Sequence, residues 1–186
     1  MTPPRPLVPK NPKKKTLVLD LDETLIHSYV RGGRMSSGHM VEVKLAKHAI
    51  LYYVHKRPHC DYFLKKVCAW YNVVIFTASV QEYADPVIDW LEQNGKLFTA
   101  RYYRQHCTFE NGAYTKDISI CDPDLRRAMI IDNSPLSYAH YEENAIPIEG
   151  WISDPSDNDL MYLLPVLFGL RSVPDVRLLL GLRMPR

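Results

Sequence analysis

The chain has 186 residues, enough for one domain that buries roughly 70% of the surface its unfolded form exposes. Hydrophobic residues at 46% and charged residues at 24% exclude a disordered or fibrous chain, and a formal net charge of +2 is too small to hold nucleic acid by bulk electrostatics. No apolar run approaches the length of a bilayer crossing, and Pro3, Pro4, Pro6, Pro9 and Pro12 break any signal peptide, so the chain as given is expected to be soluble.

Residues 1–15 are proline-rich and end on Lys13, Lys14 and Lys15, which reads as an extended, solvated leader before a folded domain over 16–186. Leu17, Val18, Leu19 and Leu21 then form an apolar strand over 16–22, too greasy for a surface position, that delivers Asp20 and Asp22 to its end. Side chains alternate along a strand, so these two carboxylates can point to the same side. After a Gly- and Ser-rich loop from Arg31 to Gly38, the runs Met40 to Leu45 and Ile50 to His55 predict a β-ribbon appended to the main sheet. Pro58 marks the switch to a helix in which Tyr62, Phe63, Val67 and Trp70 have helical spacing. Cys60 and Cys68 lie eight apart on it, too far to bridge; with Cys107 and Cys121 they read as reduced thiols in a reducing compartment.

A buried strand from Val73 to Phe76 ends in Thr77, Ala78 and Ser79. Tyr83, Val87, Ile88 and Leu91 predict a helix over Gln81 to Gln93, stopping at Asn94 and Gly95. Short alternating pieces between Phe98 and Tyr114, centred on Asn111 and Gly112, predict a small β insertion with Lys116 and Asp117 at its exit. Ala128 to Ile131 is another apolar run, ending in Asp132, Asn133, Ser134 and Pro135, and Ala145 to Ile148 a last short strand. Asp157 to Leu170 reads as an amphipathic helix that Pro165 should kink or divide, and Val173 to Leu182 as a shorter closing helix. Val176, Leu178, Leu179, Leu180 and Leu182 exceed what one helix face buries, so this helix either packs on the core or leaves part of itself for a partner. The rhythm is that of a parallel α/β protein.

In open parallel sheets the ligand lies outside the carboxyl ends of the strands, where Asp20, Asp22, Thr77, Asp132 and Asn133 are all expected. Each taken alone reads as a cap or turn residue; their convergence at three strand ends points to a site. Mg²⁺ favours oxygen ligands, and Asp20, Asp22 and Asn133 are the expected set. Two carboxylates two residues apart suit phosphoryl transfer through an aspartyl-phosphate, one attacking phosphorus while the other manages protons. They would repel each other and a phosphate dianion, so a metal and a cation are required, and Lys116 is the expected cation. His55 and His59, with Pro58 between them, offer no single face for zinc.

Asp20-Leu21-Asp22-Glu23-Thr24-Leu25 resembles the D-x-D-x-T signature of haloacid-dehalogenase-type phosphatases, in the form carried by the small C-terminal-domain phosphatases. His55-Lys56-Arg57-Pro58, Phe76-Thr77-Ala78-Ser79, Tyr114-Thr115-Lys116-Asp117 and Asp132-Asn133-Ser134-Pro135 follow in that family's order, and the resemblance runs from Lys15 to Val176. Tyr102 to Thr108, Asn144 to Ile148 and Ser153 to Asp157 look most like the Dullard-type nuclear envelope phosphatases.

The resemblance implies an α/β, Rossmann-like haloacid-dehalogenase fold with a central parallel sheet, a short β insertion and no large cap, open enough for a phosphorylated protein side chain. It implies a Mg²⁺-dependent protein serine/threonine phosphatase with Asp20 as nucleophile and Asp22 as general acid, then base. Thr77 would hydrogen-bond the phosphoryl oxygens, Lys116 would neutralise charge, and Asn133 would bind the metal beside Asp20 and the backbone carbonyl of Asp22, with Asp132 in support. Arg104 and Tyr83 match positions where relatives contact substrate. The resemblance further implies a lipin-type phosphatidate phosphatase as substrate, a small membrane-bound regulatory subunit as partner, no nucleic acid, and anchoring of the full-length protein at the nuclear envelope or endoplasmic reticulum. Two other readings stay open, a phosphatase of the RNA polymerase II C-terminal domain and a non-catalytic scaffold of a membrane complex.

Overall fold

The computed structural model describes residues 7–32 and 37–182. Along the chain the strands are β1 (Thr16–Leu19), β2 (Ile26–Val30), β3 (His39–Leu45), β4 (His48–Lys56), β5 (Asn72–Phe76), β6 (Ala100–Tyr102), β7 (Thr108–Glu110), β8 (Ala113–Thr115), β9 (Ala128–Asp132) and β10 (Ala145–Pro147). The α-helices are α1 (Cys60–Trp70), α2 (Gln81–Leu91), α3 (Asp159–Leu170) and α4 (Val176–Leu180). Five strands form the central sheet in the order β10-β9-β1-β5-β6, and every pairing in it is parallel. Strand order therefore runs one way from β1 through β5 to β6, then restarts on the other side with β9 and β10. The gap between β1 and β9 is the topological switch point, where such sheets hold ligands.

The sheet is buried on both faces, which is why its strands read as continuous apolar runs rather than alternating ones. Leu17, Leu19, Val73, Ile75, Met129 and Ile131 point into the larger core, shared with residues of all four helices. Val18, Val74, Phe76, Ala128 and Ile130 point into a smaller core closed by Ile118, Cys121 and Tyr138 from short 3₁₀ turns and their ends. Alternation along these strands carries Asp20, in step with Val18, and Asp132, in step with Ile130, toward the smaller core. All four cysteines are free, and burial raises the Cys60 and Cys121 thiols to about 12.

The structure departs from the sequence-based expectations in several places. The first strand stops at Leu19 rather than reaching Asp22, so the two carboxylates do not share a strand face. The expected ribbon is a three-stranded antiparallel sheet, β2-β4-β3, because Ile26–Val30 leaves the loop after β1 directly as a strand. Its sequence, IHSYV, is half-buried and polar on one side, which hides it from a search for apolar runs. The loop Arg31 to Gly38 lies partly outside the described residues, as do the prolines at 3, 4 and 6.

Of the expected β insertion, β6 joins the main sheet in parallel with β5, and only the β7–β8 hairpin stands apart. Asn111 at φ 50° and Gly112 at φ 80° make its turn, both in the left-handed region that a two-residue hairpin requires. Helix α1 starts at Cys60, two residues after Pro58, with His59 at φ 67° before it. Helix α3 runs unbroken through Pro165, and α2 likewise contains Pro86. The lost hydrogen bond in α3 is offset by burial of Leu160, Leu167 and Leu170, although Tyr162 and Phe168 remain exposed, so the helix is less cleanly amphipathic than its pattern suggests. The closing helix is confined to Val176–Leu180; its two end residues are buried while Leu178 and Leu179 are exposed.

Candidate active site

The centre of the site is an ion triad at the switch point. The register Leu19↔Ile131 places Asp20 beside Asp132 on neighbouring parallel strands. Lys116, delivered by the end of the β7–β8 hairpin and fixed by its backbone N–H on Ser137 O at 2.8 Å, donates to Asp20 Oδ1 and Asp132 Oδ2, each at 2.7 Å. The lysine is 2% exposed. Burial opposes its charge, but the two carboxylates outweigh burial and hold its pKa above the ordinary lysine value. Burial, then the neighbouring Asp20, pushes Asp132 upward against the opposing pull of Lys116.

Asp22 faces elsewhere. The backbone turns at Glu23, a non-glycine residue at φ 62°, where the left-handed conformation stores strain of the kind found at functional sites. Past this end of β1, the Asp22 carboxylate accepts hydrogen bonds from Ser79 Oγ at 2.8 Å and Tyr83 OH at 2.5 Å. Ser28 Oγ lies 2.5 Å from the same phenol oxygen, so Ser28 donating to Tyr83 and Tyr83 to Asp22 forms a chain of hydroxyls. Burial raises the Asp22 carboxyl to about 6, with the Tyr83 and Ser79 hydrogen bonds pulling the other way. A carboxyl poised there can both give and take a proton near neutral pH.

Thr77, at the end of β5, is 1% exposed, and its Oγ1 accepts from the Ser79 N–H at 3.0 Å. Among the described residues its hydroxyl donates to no other group, which leaves its proton for a ligand. Thr24 is buried with its hydroxyl 3.0 Å from Asp20 Oδ2 and 3.3 Å from Asn133 Oδ1. One proton cannot satisfy both acceptors, so an oxygen pair is left under-donated, as a hard cation would need. Asn133 is turned with Oδ1 toward this spot by its Nδ2, 3.4 Å from Glu23 Oε2. Among the described residues no three His, Cys, Asp or Glu gather as a metal cluster. Asp20 and Asn133 thus offer one carboxylate and one amide oxygen, hard donors that fit a divalent cation such as Mg²⁺ better than zinc.

A cavity of about 330 Å³ opens beside Asp22 and is lined by Ser79, Tyr83, Arg104, His27 and Tyr52 among others. Arg104, expected at the substrate, is at its rim, with Nε on Ala78 O at 2.6 Å and its guanidinium over the Tyr114 ring. Tyr83, also expected there, is 7% exposed and spends its hydroxyl on Asp22. Of the residues expected at the site, Asp20, Lys116 and Asp132 are in direct contact and Asn133 is joined to Asp20 through Thr24, while Asp22 and Thr77 are both held on Ser79. Sequence reasoning missed Ser79 and Ser28 as partners in the Asp22 network and Thr24 as the bridge to Asn133; Ser79 and Thr24 stand inside the quoted motifs, which was the available signal.

A five-stranded parallel sheet with acids at its switch point defines the class, a Rossmann-like α/β fold with its site at the strand ends. Residues 15–177 match the NLI interacting factor-like phosphatase family, and the chain belongs to that family. It is 60% identical over 98% of its length to Nuclear envelope morphology protein 1 of Schizosaccharomyces pombe, and 51% identical over 97% to the protein of that name in Saccharomyces cerevisiae. It is 48% identical over 92% of its length to CTD nuclear envelope phosphatase 1B of Danio rerio. The chain spans 39% and 45% of the two yeast relatives and 73% of the fish protein. Among solved structures, fission yeast RNA polymerase II CTD phosphatase Fcp1 bound to beryllium fluoride is similar in fold, with a TM-score of 0.64 at 20% identity, covering 91% of this chain and 54% of that one. Among the described residues no helix is long and apolar enough to cross a membrane.

Proposed function

We propose that the chain is a Mg²⁺-dependent protein serine/threonine phosphatase that works through an aspartyl-phosphate on Asp20. The observation that carries this is the separation of two carboxylates into two environments: Asp20 ion-paired with Lys116 at 2.7 Å, and Asp22 held by hydroxyls with its carboxyl near pKa 6. An ionised nucleophile beside a protonatable acid is what hydrolysis of a phosphate ester in two steps demands.

In the first step an Asp20 oxygen bonds to phosphorus, the bond to the seryl or threonyl oxygen breaks, and Asp22 gives that oxygen its proton. In the second, Asp22 takes a proton from water as the water oxygen bonds to phosphorus; the bond to Asp20 breaks and inorganic phosphate leaves. Lys116 holds positive charge beside the group being transferred, and the Thr77 hydroxyl is free to donate to its oxygens. Mg²⁺, bound by Asp20, Asn133 and the Asp22 carbonyl, would supply further charge neutralisation for the phosphoryl oxygens.

The proposed substrate is a lipin-type phosphatidate phosphatase at the nuclear envelope or endoplasmic reticulum, reached with a small membrane-bound regulatory subunit and so tied to lipid synthesis. Relatives at 48–60% identity whose names place them at the nuclear envelope support the location. Asp20→Asn should abolish hydrolysis of a phosphoserine peptide, and wild-type turnover in that variant would refute the mechanism. Side-by-side kinetics on phosphorylated lipin and on phosphorylated polymerase-tail peptides test the substrate, with higher kcat/KM expected for lipin.

A further inference from the structure

Glu23 lines one cavity, and Trp151, whose backbone it holds, lines another. The catalytic one lies against Asp22. A second, of about 280 Å³, is walled by His55, Pro58, Trp151, Ile152 and Pro155. The two are joined by the loop that follows β10. A Cβ on Gly150 would come 3.2 Å from Asn133 Nδ2 and 3.4 Å from Glu23 Oε2, so this loop lies close against the residues of the site. The next residue, Trp151, donates its backbone N–H to Glu23 O at 2.8 Å, and Tyr29 OH reaches Ile152 O at 3.4 Å.

The strands give the spacing. His27 lines the catalytic cavity and His55 the second, and these two residues are directly paired across β2 and β4. Directly opposed residues share a sheet face with Cβ atoms about 5 Å apart. Tyr29, two residues along on that face, makes edge contacts with both rings. The two cavities are therefore separated by about the width of neighbouring side chains, and an extended peptide at roughly 3.3 Å per residue needs two to four residues to cross both that width and the catalytic cavity itself.

Four of the seven residues lining the second cavity, Pro58, Trp151, Ile152 and Pro155, are apolar, and they stand beside His55, Lys56 and Ser153. Lys56 lines it, but its ammonium is engaged by Asp61 at 2.8 Å and lies over the Trp90 ring. His55 Nε2 is taken by Ser37 O at 2.6 Å, and Trp151 Nε1 by Asp154 O at 2.8 Å. Among the described residues no free charge is left there for a second phosphate. The volume falls just short of the range for whole small-molecule ligands and suits one large side chain.

We propose that this cavity is a specificity subsite that receives an apolar side chain of the phosphoprotein, two to four residues from the phosphorylated serine or threonine. The proposal rests on the phosphatase reading and adds to it a sequence requirement on the substrate. Ile152, 53% exposed, is an accessible part of its wall and has no part in the catalytic machinery.

The test walks a single leucine through the four positions on either side of a phosphoserine in an otherwise alanine-rich peptide. One position should raise kcat/KM about tenfold over alanine, the effect of burying one aliphatic side chain. Ile152→Glu and the milder Ile152→Ser should remove that preference and leave turnover of a small aryl phosphate unchanged, which also reports an intact fold. Anisotropy of the same labelled peptides reads binding without turnover, so a chain that proves inactive refutes the phosphatase reading while the subsite is still tested. Absence of any leucine preference, or its survival in Ile152→Glu, would overturn the proposal. So would concentration-dependent self-association of the wild type that Ile152→Glu abolishes, which would assign the cavity to a second copy of the chain.

Discussion

Lys116 is the residue on which the charges of the site balance. With Asp20 and Asp132 each 2.7 Å away, its removal leaves two carboxylates side by side without the cation they share. Lys116→Ala should lower kcat by roughly 10²–10³, the loss seen when one preorganised donor is deleted, measured by steady-state hydrolysis of a phosphopeptide. Asp22 predicts a pH effect. Its pKa is raised by burial from 3.8 to about 6, so between these values the folded chain binds more protons at this position than the unfolded one. The stability contributed by protonated Asp22 is complete below about pH 4 and is lost as pH rises through 6. Denaturation of metal-free protein across that range should show a decline with pH that Asp22→Asn flattens. Asp22 was legible because a charged group following an apolar run is costly unless used, and Lys116 only through the company of such groups. Ser28 and Ser79 were not, since a hydroxyl near a strand end has many ordinary uses.

At the scale of elements, the loop carrying Glu23 and Thr24 is held from outside the sheet by Arg57, which follows β4. Its side chain is fully buried and donates to Asp157 through Nε and Nη2, to Asp159, and to the carbonyls of Thr24 and Glu149. One side chain thus ties the catalytic loop, the loop after β10 and the start of α3. Arg57→Ala removes the partner of a buried ion pair and orphans two carbonyls, and should cost about 3–5 kcal/mol in urea denaturation. The motif containing Arg57 was visible, but its purpose was not, because its partners lie a hundred residues on. Periodicity located β5, β9, α1 and α2 closely. It failed at β2 and β6, short strands whose membership in a sheet is decided by their neighbours rather than by their own pattern.

For the whole molecule, the segment before β1 matters more than a solvated leader would. Asn72, at the start of β5, accepts from Asn11 N–H at 2.7 Å and donates to Asn11 O and Lys14 O, while Lys15 Nζ reaches Arg171 O and Arg127 holds Pro12 O and Lys14 O. Residues 11–15 therefore bind the amino ends of the strands, opposite the catalytic face. Asn72→Ala should release them, lowering stability by about 1–3 kcal/mol and raising amide exchange over 8–15 while leaving the active-site triad intact.

What the sequence alone determined was the alternation of buried strands and helices, and the identity of the groups at the strand ends, because apolar runs and the polar residues that interrupt them are local properties. The tertiary structure alone decided that Asp20 and Asp22 face different surroundings. The strand ends at Leu19, Glu23 turns the backbone, and parallel pairing of β1 with β9 brings Asp132 and Lys116 to one carboxylate while α2 brings Tyr83 to the other. Register and long-range contacts set those surroundings, and no local pattern records them.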